Sequence, residues 1–231
     1  MRSLLIHWKG LKLLPSAWLL FLQLFILCLS PLTNQSLNTH ALSWCLSALA
    51  LLLIAAIIRR SPIYSAVGLI FVMVALLLSA MIVMGYGSTS ILVAANVVEA
   101  AAYIYAASGL LMYMFADKYL TRDELFAAAA VFTLFAWAFA FLYSACQSVF
   151  PASFTALADG ELGRSWLELL FLSFSVQSGT GLSDIVPIAP AARVLVSLQM
   201  FVGVMYLTLV VSRLVTLQYI KHAPVKDKQQ H

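Results

Sequence analysis

Six long apolar runs alternate with short polar breaks along the chain, at residues 15–33, 41–58, 64–85, 90–115, 124–148 and 193–220. Each approaches or exceeds the roughly 17 to 25 residues that an α-helix needs to cross a bilayer, so the pattern predicts six transmembrane helices. A seventh run, WLELLFLSFSV at 166–176, is too brief to span and predicts a re-entrant helix. It leads into SVQSGTGLSDIVP at 175–187, a small, hydroxyl-bearing, glycine-containing stretch lying before the last span. At the breaks, Arg59-Arg60-Ser61-Pro62 offers an N-cap serine and a proline for the first helical position. Thr121-Arg122-Asp123-Glu124 has capping-box spacing and marks the start of the fifth span.

Composition confirms the solvent. Hydrophobic residues make up 63% of the 231 residues, charged residues 10%, and the mean hydropathy is +0.99. A water-soluble domain cannot hide that much apolar surface. The sparse charge is placed asymmetrically. With the N-terminus inside and six spans, Arg2, Lys9, Lys12, Arg59, Arg60, Lys118, Arg122, Arg213, Lys221, Lys226 and Lys228 fall on the cytoplasmic side, and Arg164 and Arg193 outside. This bias predicts a plasma (inner) membrane protein with both termini cytoplasmic. The net charge of +4 is therefore a topology signal and not a nucleic-acid footprint.

The first run is too long for a signal peptide, and SPLTNQS gives no clear cleavage site. Cys28, Cys45 and Cys146 have no metal or redox spacing and read as packing residues. His7, His40, His222 and His231 cluster with nothing, so no metal site, cofactor or enzymatic constellation is expected. The fourth run, ILVAANVVEAAAYIYAASGLLMYMF, contains no arginine. Voltage sensors carry charge through the membrane at about 2.3 kcal/mol per 100 mV, so classical voltage gating is not expected.

Backbone at membrane depth must be hydrogen-bonded within protein or border water. A short helix, a Gly/Ser/Thr stretch and then a full span is thus a pore-loop pattern, in which carbonyl and hydroxyl oxygens replace an ion's hydration shell. FLSFSVQSGTGLSDIVPIAPAARVLVSLQMFVGVMY resembles the pore module of the tetrameric potassium-channel superfamily. The resemblance rests on Ser173-Phe174, Gly181, Asp184-Ile185-Val186-Pro187, Pro190, Ala192-Arg193, and Gly203 followed by Tyr206, in ungapped spacing. It covers chiefly 165–217, with the fifth span as outer helix. It implies a homotetramer around a central pore, with a filter at Ser178, Gly179, Thr180, Gly181, Leu182, Ser183 and Asp184.

The departures bear on selectivity. The family's T-V-G-Y-G-D falls on Gly179, Thr180, Gly181, Leu182, Ser183 and Asp184, so the innermost threonine is Gly179, the tyrosine Leu182 and the second glycine Ser183. Leu182 cannot make the bond by which the family's tyrosine holds the filter open. Phe171, Leu172 and Phe174 stand where its partners would be expected, which predicts an apolar repacking. A second register reads Gln177-Ser178-Gly179-Thr180-Gly181 as T-V-G-Y-G, keeping both glycines but breaking the gapless match from Ser173 to Gly203. The ungapped register is preferred.

Arg164 and Glu168 have i, i+4 spacing suited to an ion pair. Asp159 and Glu161 read as a solvated turret, and Asp184 matches the family's own aspartate. Gly203 is either a gating hinge or a site of close helix packing. Asn96 and Glu99, one turn apart in the fourth run, are intramembrane polar candidates, and Glu99 is either functional or a packed glutamate.

Together these readings predict an all-α integral membrane protein with six transmembrane helices plus one re-entrant pore helix and filter loop. Residues 1–115 form a four-helix membrane domain without voltage-sensor arginines, 116–123 a cytoplasmic linker, 124–220 the pore domain, and 221–231 a tail too short to fold alone. The expected function is passive conduction of a monovalent cation, K+ or Na+, by a homotetramer in the lipid bilayer. The alternatives are a non-conducting structural or regulatory relative, or a transporter using Glu99.

Overall fold

The computed structural model describes residues 15–30, 62–116, 122–155 and 163–222. Among these residues the regular elements are all helices, with no strand: α1 is Pro15–Leu29, α2 Pro62–Val83, α3 Thr89–Ala116, α4 Arg122–Val149, α5 Trp166–Ser178 and α6 Pro190–His222. Four of them, α2, α3, α4 and α6, are long and apolar enough to cross a membrane. They fall on the third to sixth predicted runs, and α5 on the short seventh. On the first run, α1 covers 15 residues, and 31–33 lie outside the described residues. The run at 41–58, Ser61 and Thr121 lie outside the described residues.

Local chemistry sets the helix ends. After α2, Gly85 takes φ 91°. Its N–H bonds to the Ile82 carbonyl while that of Tyr86 bonds to the Met81 carbonyl. This paired closure needs a left-handed residue, which glycine supplies without a Cβ clash. Ser88 then caps α3 by accepting from the Ile91 N–H at 3.4 Å. Pro190 opens α6 at a position where a missing N–H costs nothing.

Helix α4 is the hub. It is the most buried span and packs against α1, α3, α5 and α6. Its most extensive contact is with α3, where Ala100, Ala102, Ala106 and Ala107 share one buried cluster with Ala127, Ala130 and Ala138. Small side chains let helix backbones approach closely, which is what favours association between helices in lipid. At one end, the Asp123 carboxylate accepts from the Ser16 N–H at 3.1 Å, the Ser16 hydroxyl at 2.9 Å and the Tyr113 hydroxyl at 3.2 Å. An acidic residue of α4 thus caps the first turn of α1, where the helix dipole favours negative charge. Beside it Glu124 pairs with Arg213 of α6 at 3.9 Å, and the Arg213 guanidinium lies 5.0 Å from the centre of the Phe115 ring. Further along, Trp137 stacks edge-on against both Tyr103 and Trp166, joining α3 and α4 to the start of α5.

Candidate functional site

Both ends of α5 are defined by its own sequence. Ser165 caps it: its hydroxyl accepts from the Glu168 N–H at 3.3 Å, while the Glu168 carboxylate accepts from the Ser165 N–H at 2.8 Å, completing a capping box. The spacing S-x-x-E at 165–168 carried that signal. Ser178 is followed by Gly179 in the left-handed region at φ 72°, whose N–H returns to the Val176 carbonyl.

Before the helix, Arg164 acts as a clamp. Its guanidinium pairs with Glu168 at 3.0 Å, as the i, i+4 spacing predicts, and also reaches Asp184 at 3.7 Å. Its Nε donates to the Thr155 carbonyl at 2.8 Å. Gln147 of α4 brackets the Arg164 backbone, donating to its carbonyl at 2.8 Å and accepting from its N–H at 3.1 Å. Burial pushes the Glu168 carboxyl up, but the hydrogen bonds from Ser165 and Arg164 and the Arg164 charge outweigh it. Its pKa therefore sits below the ordinary glutamate value.

Beyond α5 the chain runs in non-helical backbone from Gly179 to Ala189. Its first amides fold back: the N–H groups of Thr180 and Gly181 both bond to the Ser175 carbonyl, at 3.1 and 3.3 Å. Gly181 also has positive φ, 66°. Among the described residues, the carbonyl oxygens of residues 179 to 183 accept no hydrogen bond. The Ser183 hydroxyl accepts from the Ile185 N–H at 3.1 Å, making a local turn. The chain is then tied to the segment after α4. Thr155 N–H donates to the Val186 carbonyl at 3.0 Å, Val186 N–H to the Thr155 hydroxyl at 3.2 Å, and Ile188 N–H to the Ser153 carbonyl at 2.8 Å. The 178–184 loop is thus fixed at both ends, with residues 178–182 and 184 exposed and Ser183 half-buried.

Two expectations bear on this loop. Leu182 is 73% exposed, so within the chain it makes no apolar cuff with Phe171, Leu172 and Phe174. The positive φ values fall on Gly179 and Gly181, the two glycines that the second register retains, although Gly179 uses its conformation to cap α5.

The polar contacts that hold α5 lie behind the loop. Gln199 of α6, fully buried, donates through Nε2 to the Ser173 hydroxyl at 2.6 Å, the Ser173 carbonyl at 3.1 Å and Gln177 Oε1 at 3.1 Å. Its Oε1 accepts from the Tyr143 hydroxyl of α4. Ser173 donates to the Ala136 carbonyl at 2.6 Å and Gln177 to the Phe132 carbonyl at 2.7 Å. One turn along α6, a Cβ on Gly203 would meet the Gln177 carbonyl oxygen at 2.6 Å. Tyr206 donates to the Ala128 carbonyl. Sequence reasoning overlooked Gln177 as a contact, Gln199 and Tyr143; buried glutamines one helix face apart in apolar runs were the available signal.

The remaining candidates lie elsewhere. Asn96 and Glu99 are on α3, whose chief contacts are α4 and α2. Asn96 donates to the Leu92 carbonyl at 2.9 Å. Glu99 is buried, and its Oε2 has no hydrogen-bond partner among the described residues. Asp159 and Glu161 lie outside the described residues, and the described residues contain no cluster of His, Cys, Asp and Glu able to hold a metal.

Comparison with protein families finds a match. The family model described as "Ion channel" covers residues 126–218, from the second turn of α4 through α5 and its loop to the far part of α6. No curated protein matches the chain, and no solved structure does.

Proposed function

We propose, from the premise that residues 126–218 are a pore-loop ion-channel domain, that the chain conducts monovalent cations passively through a pore lined by its 178–184 loop. The observation that carries this reading is the run of carbonyl oxygens at 179–183, unpartnered among the described residues and presented on largely exposed chain between two spans. Unpartnered backbone oxygens are costly in lipid, and a cation stripped of water is the partner they suit. One loop cannot encircle an ion, so the mechanism calls for several copies, and we take the assembly to be a homotetramer. An uncovered apolar face along α6, including Leu198, Phe201, Met205 and Leu209, supports it as surface for a second copy or for lipid.

In this mechanism Asp184 gathers cations at the outer mouth. Its pairing with Arg164 tempers that charge and fixes the carboxylate beside the loop. The loop oxygens replace water around the ion, and α6 lines the inner path with Gly203 as its hinge. Gating by a moving arginine helix is not part of the proposal, since α3 contains no arginine.

The test is flux. The purified chain in liposomes should dissipate a K+ or Na+ gradient without any added energy source, and reversal potentials in mixed salts then give its preference. A folded, oligomeric chain that passes no cation would favour the second reading, a non-conducting channel relative. The observation favouring that reading is Leu182, whose exposed side chain gives the loop no anchor to α5.

A further inference from the structure

With Leu182 exposed and unable to hydrogen-bond, something else must hold the loop-bearing end of α5 in place, and the buried amides supply it. Gln177 is two residues before Gly179, where the helix gives way to the loop. Its side chain is fixed on both sides, by the Phe132 carbonyl of α4 and by Gln199 of α6. Gln199 spreads its two N–H bonds over Ser173 and Gln177 and has its oxygen held by Tyr143. Ser173 and Gln177 are one turn apart on the same face of α5, so this single amide fixes both the rotation and the height of the helix. Every polar atom of the Gln199 side chain is satisfied, in surroundings where a lost partner has no water to replace it.

We propose that Gln199 is a positioning residue for ion selectivity: through Ser173 and Gln177 it sets where the 178–184 loop stands, the task that a loop-to-helix bond would otherwise perform. This inference rests on the channel reading above. Gln199 touches no ion. A filter discriminates between ions by the number and placement of its oxygens, so releasing α5 changes which cation the loop accepts before it abolishes conduction.

The test compares the wild-type chain with Gln199→Leu, Gln177→Leu, the double variant and Tyr143→Phe, each reconstituted in planar bilayers under mixed K+ and Na+. Gln199→Leu is expected to change the permeability ratio by about threefold or more, the scale of one intramembrane hydrogen bond. Gln177→Leu is expected to change it in the same direction, and the double variant no more than the larger single change, because both cut the same link. Tyr143→Phe removes one hydroxyl and leaves the packing intact, so it remains informative where the leucine variants fail to assemble; a smaller shift in the same direction is expected. Conducting variants, Tyr143→Phe among them, that keep the wild-type ratio would overturn the inference while leaving the channel reading in place. A wild-type chain that conducts nothing overturns both.

Discussion

Gly203 of α6 faces the backbone of Gln177 so closely that a methyl group on it would stand 2.6 Å from the carbonyl oxygen and 3.1 Å from Cα. Real Cβ atoms do not approach backbone that closely, so α6 and the end of α5 would have to part. Glycine here is explained by packing, and the hinge proposed for the same residue would act at the point where α6 touches the loop-bearing helix. Gly203→Ala is therefore expected to cost about 1–3 kcal/mol, the usual penalty of overpacking, seen as a lower unfolding temperature in detergent together with altered flux. A variant as stable as the wild type would show that the two helices separate freely.

The Arg164 clamp gives a second prediction. Arg164→Met removes the guanidinium from Glu168, Asp184 and the Thr155 carbonyl at once. A hydrogen bond to a charged group contributes about 1.5–3 kcal/mol, so thermal unfolding should move to clearly lower temperature. Lysine should rescue only in part, because a point charge cannot reproduce the guanidinium fork.

The same cluster predicts a pH dependence. Glu168 has a folded pKa below its ordinary value of 4.5, so the unfolded chain binds the proton more tightly. The stability that Glu168 contributes is therefore fully present above about pH 4.5 and is lost as pH falls through the folded value. The denaturation midpoint should drop in that acid window, and Glu168→Gln should flatten this part of the curve. An unchanged slope in that variant would show that the carboxylate is not the titrating group.

Glu99 separates a passive pore from a transporter. It sits on α3, away from the 178–184 loop, with one carboxyl oxygen unpartnered among the described residues. If ions pass at the loop, Glu99→Gln leaves passive flux intact, since the amide is nearly isosteric and the path does not cross α3. Loss of flux in a variant that folds and assembles would move the path toward α3.

Much of this arrangement was legible in the sequence, for identifiable reasons. Lipid imposes a simple length rule, so the runs at 64–85, 90–115, 124–148 and 193–220 predicted α2, α3, α4 and α6, and the short run before the glycines predicted α5. The Arg164–Glu168 pair was readable because the two residues are four apart in sequence, across the start of α5. Contacts that depend on how helices cross were not readable. Tyr143, Ser173 and Gln199 come from three helices and meet only after α4, α5 and α6 have packed. Nor does any spacing rule reveal that Asp123, read as part of its own helix's cap, caps α1 instead.

The most direct measurement is the cation flux of the purified wild-type chain in sealed liposomes, compared with a chain in which Gly181 is replaced by valine. Gly181 has positive φ and open space around it, so valine disturbs loop backbone that glycine alone adopts readily without crowding the helices behind it. The account predicts gradient-driven K+ or Na+ flux in the wild type and its loss or altered ion preference in Gly181→Val, with both chains equally assembled. Equal flux with unchanged preference in the two chains would contradict it.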